Sequence, residues 1–356
     1  MNDDGLRGST GNARNGRGTR NGVDQSIRGY LQQLEQQGEM VRVTKEIDPA
    51  ANMSAVGWKT YNDFKKATLF SNIKGHPDWE ACTQILTDRS KWSMALDLTE
   101  DEFLPALSRK LKMAIDPVID DTGPAPCKEV IKTGGDVSLF DLPVVTTSEE
   151  DGGPFIPAGM AIVRDPDTGI RNMSVHRLQV FDTNHTGFAM VPRQARRIYD
   201  KYRAKGETMQ VAIAIGTHPA IFFGSAFTAP FGIDELALAG GLLGDPVRLV
   251  KCETVDIEVP AEAEIILEGE IVPDELRHEG PYGEVPGTYA AADDCEVLRI
   301  TAITHRRRPI YYALHCGMPT TCAQAATGVG IEMATWEHLN QVEGGLDLLD
   351  VRCPPS

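Results

Sequence analysis

The chain has 356 residues, 41% of them apolar and 24% charged, the balance of a globular protein large enough for two or three domains. Its formal net charge of −16 excludes an extended nucleic-acid footprint, and no apolar run reaches the roughly eighteen residues of a membrane span. Seven scattered cysteines with no C-x-x-C pair predict reduced thiols rather than a disulfide framework or a zinc site, and the cytoplasm is the expected compartment.

Residues 1–22 are rich in Asn, Gly, Arg and Ser, lack the apolar core of a signal peptide, and are expected to be disordered. Asp24 is the expected N-cap of a first helix, in which Ile27, Leu31 and Leu34 recur at helical spacing until Gly38. Residues 40–47 alternate as a half-buried strand. Helices and short strands follow to about residue 115, with Leu104, Leu107 and Leu111 on one helical face. From about residue 134 the pattern changes. Strands are predicted over 159–163, 173–181, 188–191, 210–215, 247–252, 264–271, 297–303 and 310–315, broken by Gly-, Pro- and Asp-rich turns. Two helices, 193–205 and 233–243, interrupt them. Arg306-Arg307-Arg308 reads as a strand-end turn. Segment 328–350 reads as a helix and the start of a further strand, before an interrupted end at Pro354-Pro355-Ser356. The fold class is α+β: an N-terminal α/β domain (23–130), a barrel-like sheet carrying two helices (131–320), and the start of an incomplete C-terminal α/β domain (321–356).

Three constellations carry candidate chemistry. In His278-Glu279-Gly280-Pro281-Tyr282-Gly283-Glu284, two acids flank a Gly-Pro-aromatic-Gly bend that no helix interior tolerates. A tight turn can aim both at one small volume, where neighbouring acids push each other's pKa apart and a proton donor coexists with a carboxylate. A solvated acidic loop is the plain alternative. In Asn172-Met173-Ser174-Val175-His176-Arg177, Asn172 and Ser174 share one strand face, and Arg177 points to the other unless a bulge or bend intervenes. Around Gly224-Ser225-Ala226-Phe227 and Asp234-Glu235, oxygen ligands would suit Mn²⁺, Mg²⁺ or K⁺, although an acid at a helix start is also ordinary dipole chemistry. Gly240-Gly241-Leu242-Leu243-Gly244 follows a helix and fails the context test for a dinucleotide fingerprint. P-loop, H-E-x-x-H and G-x-S-x-G patterns are absent.

Taken together, these segments resemble the UbiD family of reversible decarboxylases, which use prenylated flavin mononucleotide. Asp151-Gly-Gly-Pro, Asn172-x-Ser174-x-x-Arg177, Asp234-Glu235, Leu243-Gly-Asp-Pro-Val, Val250-Lys-Cys-Glu-Thr and Glu279-Gly-Pro-Tyr-Gly-Glu284 stand in the family's order and spacing, and the resemblance covers nearly all of residues 24–356. It implies a flavin-binding split barrel, a catalytic network of Arg177, Glu279 and Glu284, and decarboxylation of an aromatic, heteroaromatic or α,β-unsaturated acid through a covalent prenylated-flavin adduct. Glu284 would donate the proton, and Glu279 with Arg177 would orient it. The resemblance also implies cofactor contacts from Asn172, Ser174, Val175, His176, Arg177, Arg193, Gln194, Ser225 and Glu235. Manganese (or Mg²⁺) would sit on Asn172, Gln194 and Glu235, with potassium by the backbone around Ser225 and Phe227. A flavin prenyltransferase would supply the cofactor, and a homodimer or higher oligomer is expected. The chain departs from the family in two ways. Gln194 stands where the family has a metal-binding histidine, His185 being nine residues too early. Family members also continue well beyond this end. A truncated, non-catalytic flavin-binding subunit or assembly partner is therefore the alternative function.

Overall fold

The computed structural model describes residues 22–120, 122–123, 125–227, 229–318, 320–342 and 348–353. The expected disordered tail lies outside them except for Gly22.

The first helix, α1 (Ile27–Gln36), is capped by Ser26 rather than Asp24. Asp24 acts one step earlier, its Oδ1 accepting from the backbone N–H and the hydroxyl of Ser26. Ile27, Tyr30, Leu31 and Leu34 form the buried face. Strand β1 (Met40–Val43), α2 (Met53–Phe64), β2 (Ala67–Phe70), β3 (Glu80–Thr83), α3 (Arg89–Leu96) and α4 (Phe103–Lys112) complete the first lobe. Leu104, Leu107 and Leu111 are buried on α4, as their spacing predicts.

After β4 (Val118–Ile119) and β5 (Val130–Thr133) come β6 (Phe155–Arg164), β7 (Arg171–Gln179), β8 (His185–Phe188), α5 (Gln194–Lys205) and β9 (Met209–Ile215). Two helices follow, α6 (Pro219–Ala226) and α7 (Glu235–Leu243), then β10 (Arg248–Lys251), β11 (Glu258–Pro260), β12 (Ile265–Glu279), β13 (Tyr282–Gly283), β14 (Tyr289–Ala290) and β15 (Asp293–His305). The chain closes with β16 (Ile310–Tyr312) and α8 (Cys322–Gln341). Helix α6 fills the stretch between the expected strand 210–215 and the expected helix 233–243, where the sequence reading has no helix. His218 caps it, its Nδ1 accepting the Ala220 N–H at 3.1 Å, and every residue from Pro219 to Ser225 is buried. Helix α8 begins at Cys322, six residues before the expected start, with a Thr321–Gln324 capping box; residues 348–353 form no strand.

The main sheet runs β5-β15-β12-β9-β6-β7, with β8 also paired to β15. Strand β6 is buried on both faces through Val163, as its unbroken apolar run requires. A lone bridge, Val180 to Thr186, brings the end of β7 to β8. The described residues thus form a bent, mixed α+β arrangement in which the sheet is not closed into a barrel. β12 and β15 continue as a short two-stranded end past β8, from Arg277 beside Cys295 to Glu279 beside Asp293, with irregularities at Glu268/Gly269 and Ile271/Leu276. The Glu279–Glu284 turn sits at its tip. Segment 310–315 does not extend this sheet: β16 lies parallel to β3, Ile310 beside Glu80. One contiguous apolar core joins the lobes. All seven cysteines are free, and no helix among the described residues is long and apolar enough to cross a membrane.

Candidate functional site

Arg177 reaches the two acids from β7, and a bulge lies opposite it on the neighbouring strand. Ile156 pairs with Leu178 and Gly159 with His176, so β6 carries one extra residue opposite Arg177. Pro157, which has no N–H to offer a ladder, occupies that irregular stretch. Arg177 Nε and Nη2 donate to the two oxygens of Glu279, each at 2.9 Å, and Nη1 donates to Glu284 Oε1. The guanidinium also lies over the Tyr282 ring, 5.2 Å from its centroid.

The two acids live differently. The Glu279 side chain is 3% exposed and both its oxygens are held by Arg177. That of Glu284 is 33% exposed; one oxygen is held, and the other meets only the Val285 N–H at 3.4 Å. A bidentate, desolvated pair is the stronger and less mobile of the two. The plain reading of a solvated acidic loop is excluded.

Both acids and Arg177 line a cleft of about 540 Å³, within the range of small-molecule and cofactor sites. Val175, His176, Arg193 and Ser225 line it too, so four further residues of the expected cofactor set meet the three catalytic candidates there. His176 is stacked on Phe188, and burial pushes its pKa down to about 4. The Ala189 carbonyl, 3.3 Å from Nδ1, can only accept, so Nδ1 carries the proton and Nε2 accepts from the Ser174 hydroxyl at 2.9 Å. Ser225 donates to the Phe222 carbonyl at 2.7 Å. Small residues of α8, Ala323 and Ala326, with Leu314 and Cys316, form the wall near Glu284.

Asn172, Gln194 and Glu235 meet in a separate cluster where β7, α5 and α7 begin. Asn172 Nδ2 donates to Glu235 Oε1 at 2.9 Å and faces Gln194 Oε1 at 3.3 Å; the Met173 N–H donates to Glu235 Oε2 at 2.8 Å. The ordinary helix-start role falls to Asp234, whose Oδ1 accepts the Leu236 N–H, so Glu235 is left to face β7. Burial pushes the Glu235 carboxyl up to about 7, against the hydrogen bonds from Met173 and Asn172. The buried Asn172 Oδ1 finds no hydrogen-bond partner among the described residues. Gln194 Nε2 is fixed on the Ala229 carbonyl at 2.6 Å, which turns Oε1 toward Asn172. An orphaned amide oxygen, an oriented amide oxygen and a carboxyl reluctant to ionise fit a hard cation. Among the described residues no group of three or more His, Cys, Asp or Glu offers another metal cluster. The expected potassium position falls at the end of α6, next to Thr228, which lies outside the described residues.

Sequence reasoning assigned no role to Asp151 or Gln179. Asp151 Oδ1 accepts the Gly283 N–H at 2.9 Å, while Oδ2 accepts from Thr147 and Ser148. Gln179 Oε1 accepts the Gly280 N–H and its Nε2 donates to the Gly152 carbonyl, both at 2.8 Å. Their partners are backbone groups, which leave no mark in the sequence beyond the Asp151-Gly-Gly-Pro run itself.

Residues 119–319 match the family described as the 3-octaprenyl-4-hydroxybenzoate carboxy-lyase (UbiD) Rift-related domain, and residues 31–111 match its N-terminal domain. An uncharacterized protein of Archaeoglobus fulgidus is 35% identical over 314 residues, which cover 83% of this chain and 64% of that protein. One of Synechocystis sp. is 33% identical, covering 82% and 63%. The chain thus spans a little under two thirds of the length of these curated relatives. Among solved structures, an evolved dimeric form of the UbiD-class enzyme HmfF from Pelotomaculum thermopropionicum, in complex with prFMN, superposes with a TM-score of 0.83 at 36% identity, covering 89% of this chain and 73% of that one. The closed form of Sedimentibacter hydroxybenzoicus vanillic acid decarboxylase superposes with a TM-score of 0.85 at 28% identity, covering 90% and 70%.

Proposed function

The chain belongs to the UbiD family of carboxy-lyases, and from that premise we propose that it catalyses reversible, non-oxidative decarboxylation of an aromatic, heteroaromatic or α,β-unsaturated carboxylic acid. The observation that carries this reading is Arg177 gripping both Glu279 and Glu284 in the wall of one cleft. In this reading the sheet of residues 131–320 is a flavin-binding split barrel that follows an N-terminal domain.

Prenylated flavin mononucleotide, when bound, would supply the electron sink that lets the carbon–carboxylate bond break. The chain's own residues supply position and a proton. Glu279, buried and bidentate, keeps Arg177 fixed. Arg177 in turn holds one oxygen of Glu284 and leaves the other toward the cleft. Glu284 gives its proton to the carbon that loses carbon dioxide and is recharged from solvent, to which its side chain is partly open. The same path run backwards serves carboxylation. Val175, His176, Arg193 and Ser225 would contact the cofactor, with Ser174 fixing His176 from behind. Asn172, Gln194 and Glu235 would hold Mn²⁺ or Mg²⁺ through oxygen atoms, and the backbone near Ser225 and Phe227 would hold K⁺.

The test is co-expression with a flavin prenyltransferase and manganese, followed by an absorbance spectrum and mass of the bound flavin and assay on a panel of aromatic and unsaturated acids. Glu284→Gln should retain flavin and lose both carbon dioxide release and solvent deuterium incorporation. Full activity in that variant would remove the proton-donor role. Flavin retained by the unsubstituted protein without turnover would favour a flavin-holding assembly partner instead.

A further inference from the structure

Between the two acids lie four residues, and this short stretch is held by a second loop that never reaches the cleft. Gly152 N–H donates to the Pro281 carbonyl at 2.8 Å, Gly283 N–H to Asp151 Oδ1 at 2.9 Å, and Gly280 N–H to Gln179 Oε1 at 2.8 Å. Gln179 closes the circuit through its Nε2 bond to the Gly152 carbonyl. Two glycines make this approach possible. A Cβ on Gly152 would run into the Gly280 carbonyl, and one on Gly283 would come 2.8 Å from Ser148 Oγ. Asp151 is itself anchored on the Thr147 and Ser148 N–H groups, and Gln179 is 6% exposed on β7, two residues after Arg177.

The consequence for Glu284 is geometric. Glu279 ends a long strand whose pairing with β15 continues to Asp293, so the ladder places it. Glu284 has no such ladder. Its own N–H and carbonyl bond only within its turn, to the Thr288 carbonyl at 2.8 Å and the Gly287 N–H at 2.9 Å, beside the two-residue β13–β14 pairing; the ties to the rest of the protein on either side of it are the Gly283 N–H, which Asp151 accepts, and the Val285 carbonyl, which accepts from Gln324 Nε2 at 2.8 Å. Neither Asp151 nor Gln179 lines the cleft.

We propose that Asp151 and Gln179 are positioning residues that clamp the Gly280–Gly283 turn from behind and so hold the Glu284 carboxyl against Arg177. The proposal rests on the proposed role of Glu284 as proton donor for its catalytic consequence, but not for its structural one. A shift of the turn displaces Glu284 alone, because Glu279 and Arg177 remain locked to each other and to their strands. Misplacing a reacting group by about 1 Å lowers turnover by as much as about a hundredfold.

The experiment uses Gln179→Met, which keeps the volume and removes both hydrogen bonds, and Asp151→Ala. Crystal structures of both variants without cofactor should show the Arg177–Glu279 pair intact and Glu284 displaced from Arg177 or spread over several positions. Glu284 still seated on Arg177 in both would overturn the proposal; should Asp151→Ala fail to fold, Gln179→Met decides. In the flavin-loaded protein, assayed on the acid panel, kcat should fall at least about tenfold with KM and flavin content unchanged. An unchanged kcat, or a rise in KM alone, also counts against the clamp. If the unsubstituted protein turns over no acid on the panel, the decarboxylase reading fails, while the crystal structures still decide the clamp.

Discussion

Replacing each acid of the network by its amide should separate a buried anchor from a partly solvated partner. Glu279→Gln keeps the shape but puts an NH₂ group against a guanidinium N–H that now finds a carboxylate oxygen at 2.9 Å. One charge-assisted bond becomes a donor–donor contact, and Arg177 loses its desolvated counter-charge. Bonds to charged groups contribute about 1.5–3 kcal/mol each, and breaking one side of a buried pair costs about 3–5 kcal/mol, so a loss of about 3 kcal/mol is expected. Glu284→Gln removes a charge whose side chain is a third exposed and whose single bond to Arg177 is screened by solvent. Its stability cost should stay below about 1 kcal/mol. The assay is urea or thermal unfolding of the cofactor-free protein, comparing midpoints of the first transition, since a chain of this size need not unfold in one step. A loss of about 3 kcal/mol should lower the midpoint temperature by several degrees, and the Glu284 substitution by about two at most. Equal losses, or a larger one for Glu284→Gln, would refute the assignment of Glu279 as the anchor. Adding Arg177→Met to Glu279→Gln should cost less than the sum of the two single changes, because the stranded cation leaves with its partner.

Mn²⁺ or Mg²⁺ should raise the melting temperature of the unsubstituted protein and have little effect on Glu235→Ala, measured by thermal shift. Because burial holds the Glu235 carboxyl near 7, a cation must displace its proton below that pH; the stabilisation should be full above about pH 7.5 and weaken roughly tenfold in affinity per unit on the acid side. His218 and His315 are both pushed down by burial to about 4 from an ordinary 6.5, so each favours the unfolded chain as acid is added. Their neutral forms impose no such loss above pH 6.5. Stability should fall between pH 6.5 and 4, by about 2 kcal/mol per histidine at pH 5, and His315→Gln should flatten the profile of midpoint against pH by one share. Gly152→Ala should disrupt the acid-bearing turn through the Gly280 carbonyl, with loss of activity beyond its loss of stability, measured on the loaded protein.

What could be read from the chain depended on how local each signal was. The acid-bearing turn stood out because Gly280, Pro281 and Gly283 restrict the backbone where the acids sit. The α4 face was legible from Leu104, Leu107 and Leu111 because one side of that helix is solvated. Helix α6 gave no such signal: with seven consecutive buried residues it has no polar face, and periodicity cannot separate it from buried strand or loop. The link from Arg177 to Glu279 spans a hundred residues and came only through family resemblance, since the strand period sets Arg177 on the face opposite Asn172 and Ser174 but does not say what it meets there. Ser26 displaced Asp24 as helix cap by two residues because both side chains can serve, and the Asp24 turn onto Ser26 settles the division. Asp151 and Gln179 were invisible because they grip peptide groups.

The pairing of β16 with β3 bears on how the protein is made. Ile310 pairs with Glu80, so the first sheet stays unfinished until about 230 further residues have been synthesised. Until then β3 offers an open edge of unpaired N–H and C=O groups, the kind of edge that recruits strands from other chains. As the ribosome releases the chain, that edge stays open until β16, which follows the last strand of the main sheet, returns to β3. Production of this protein is therefore expected to depend on slow synthesis, low temperature or a chaperone to guard that edge, and a fragment ending near residue 130 is expected to aggregate where the longer chain folds.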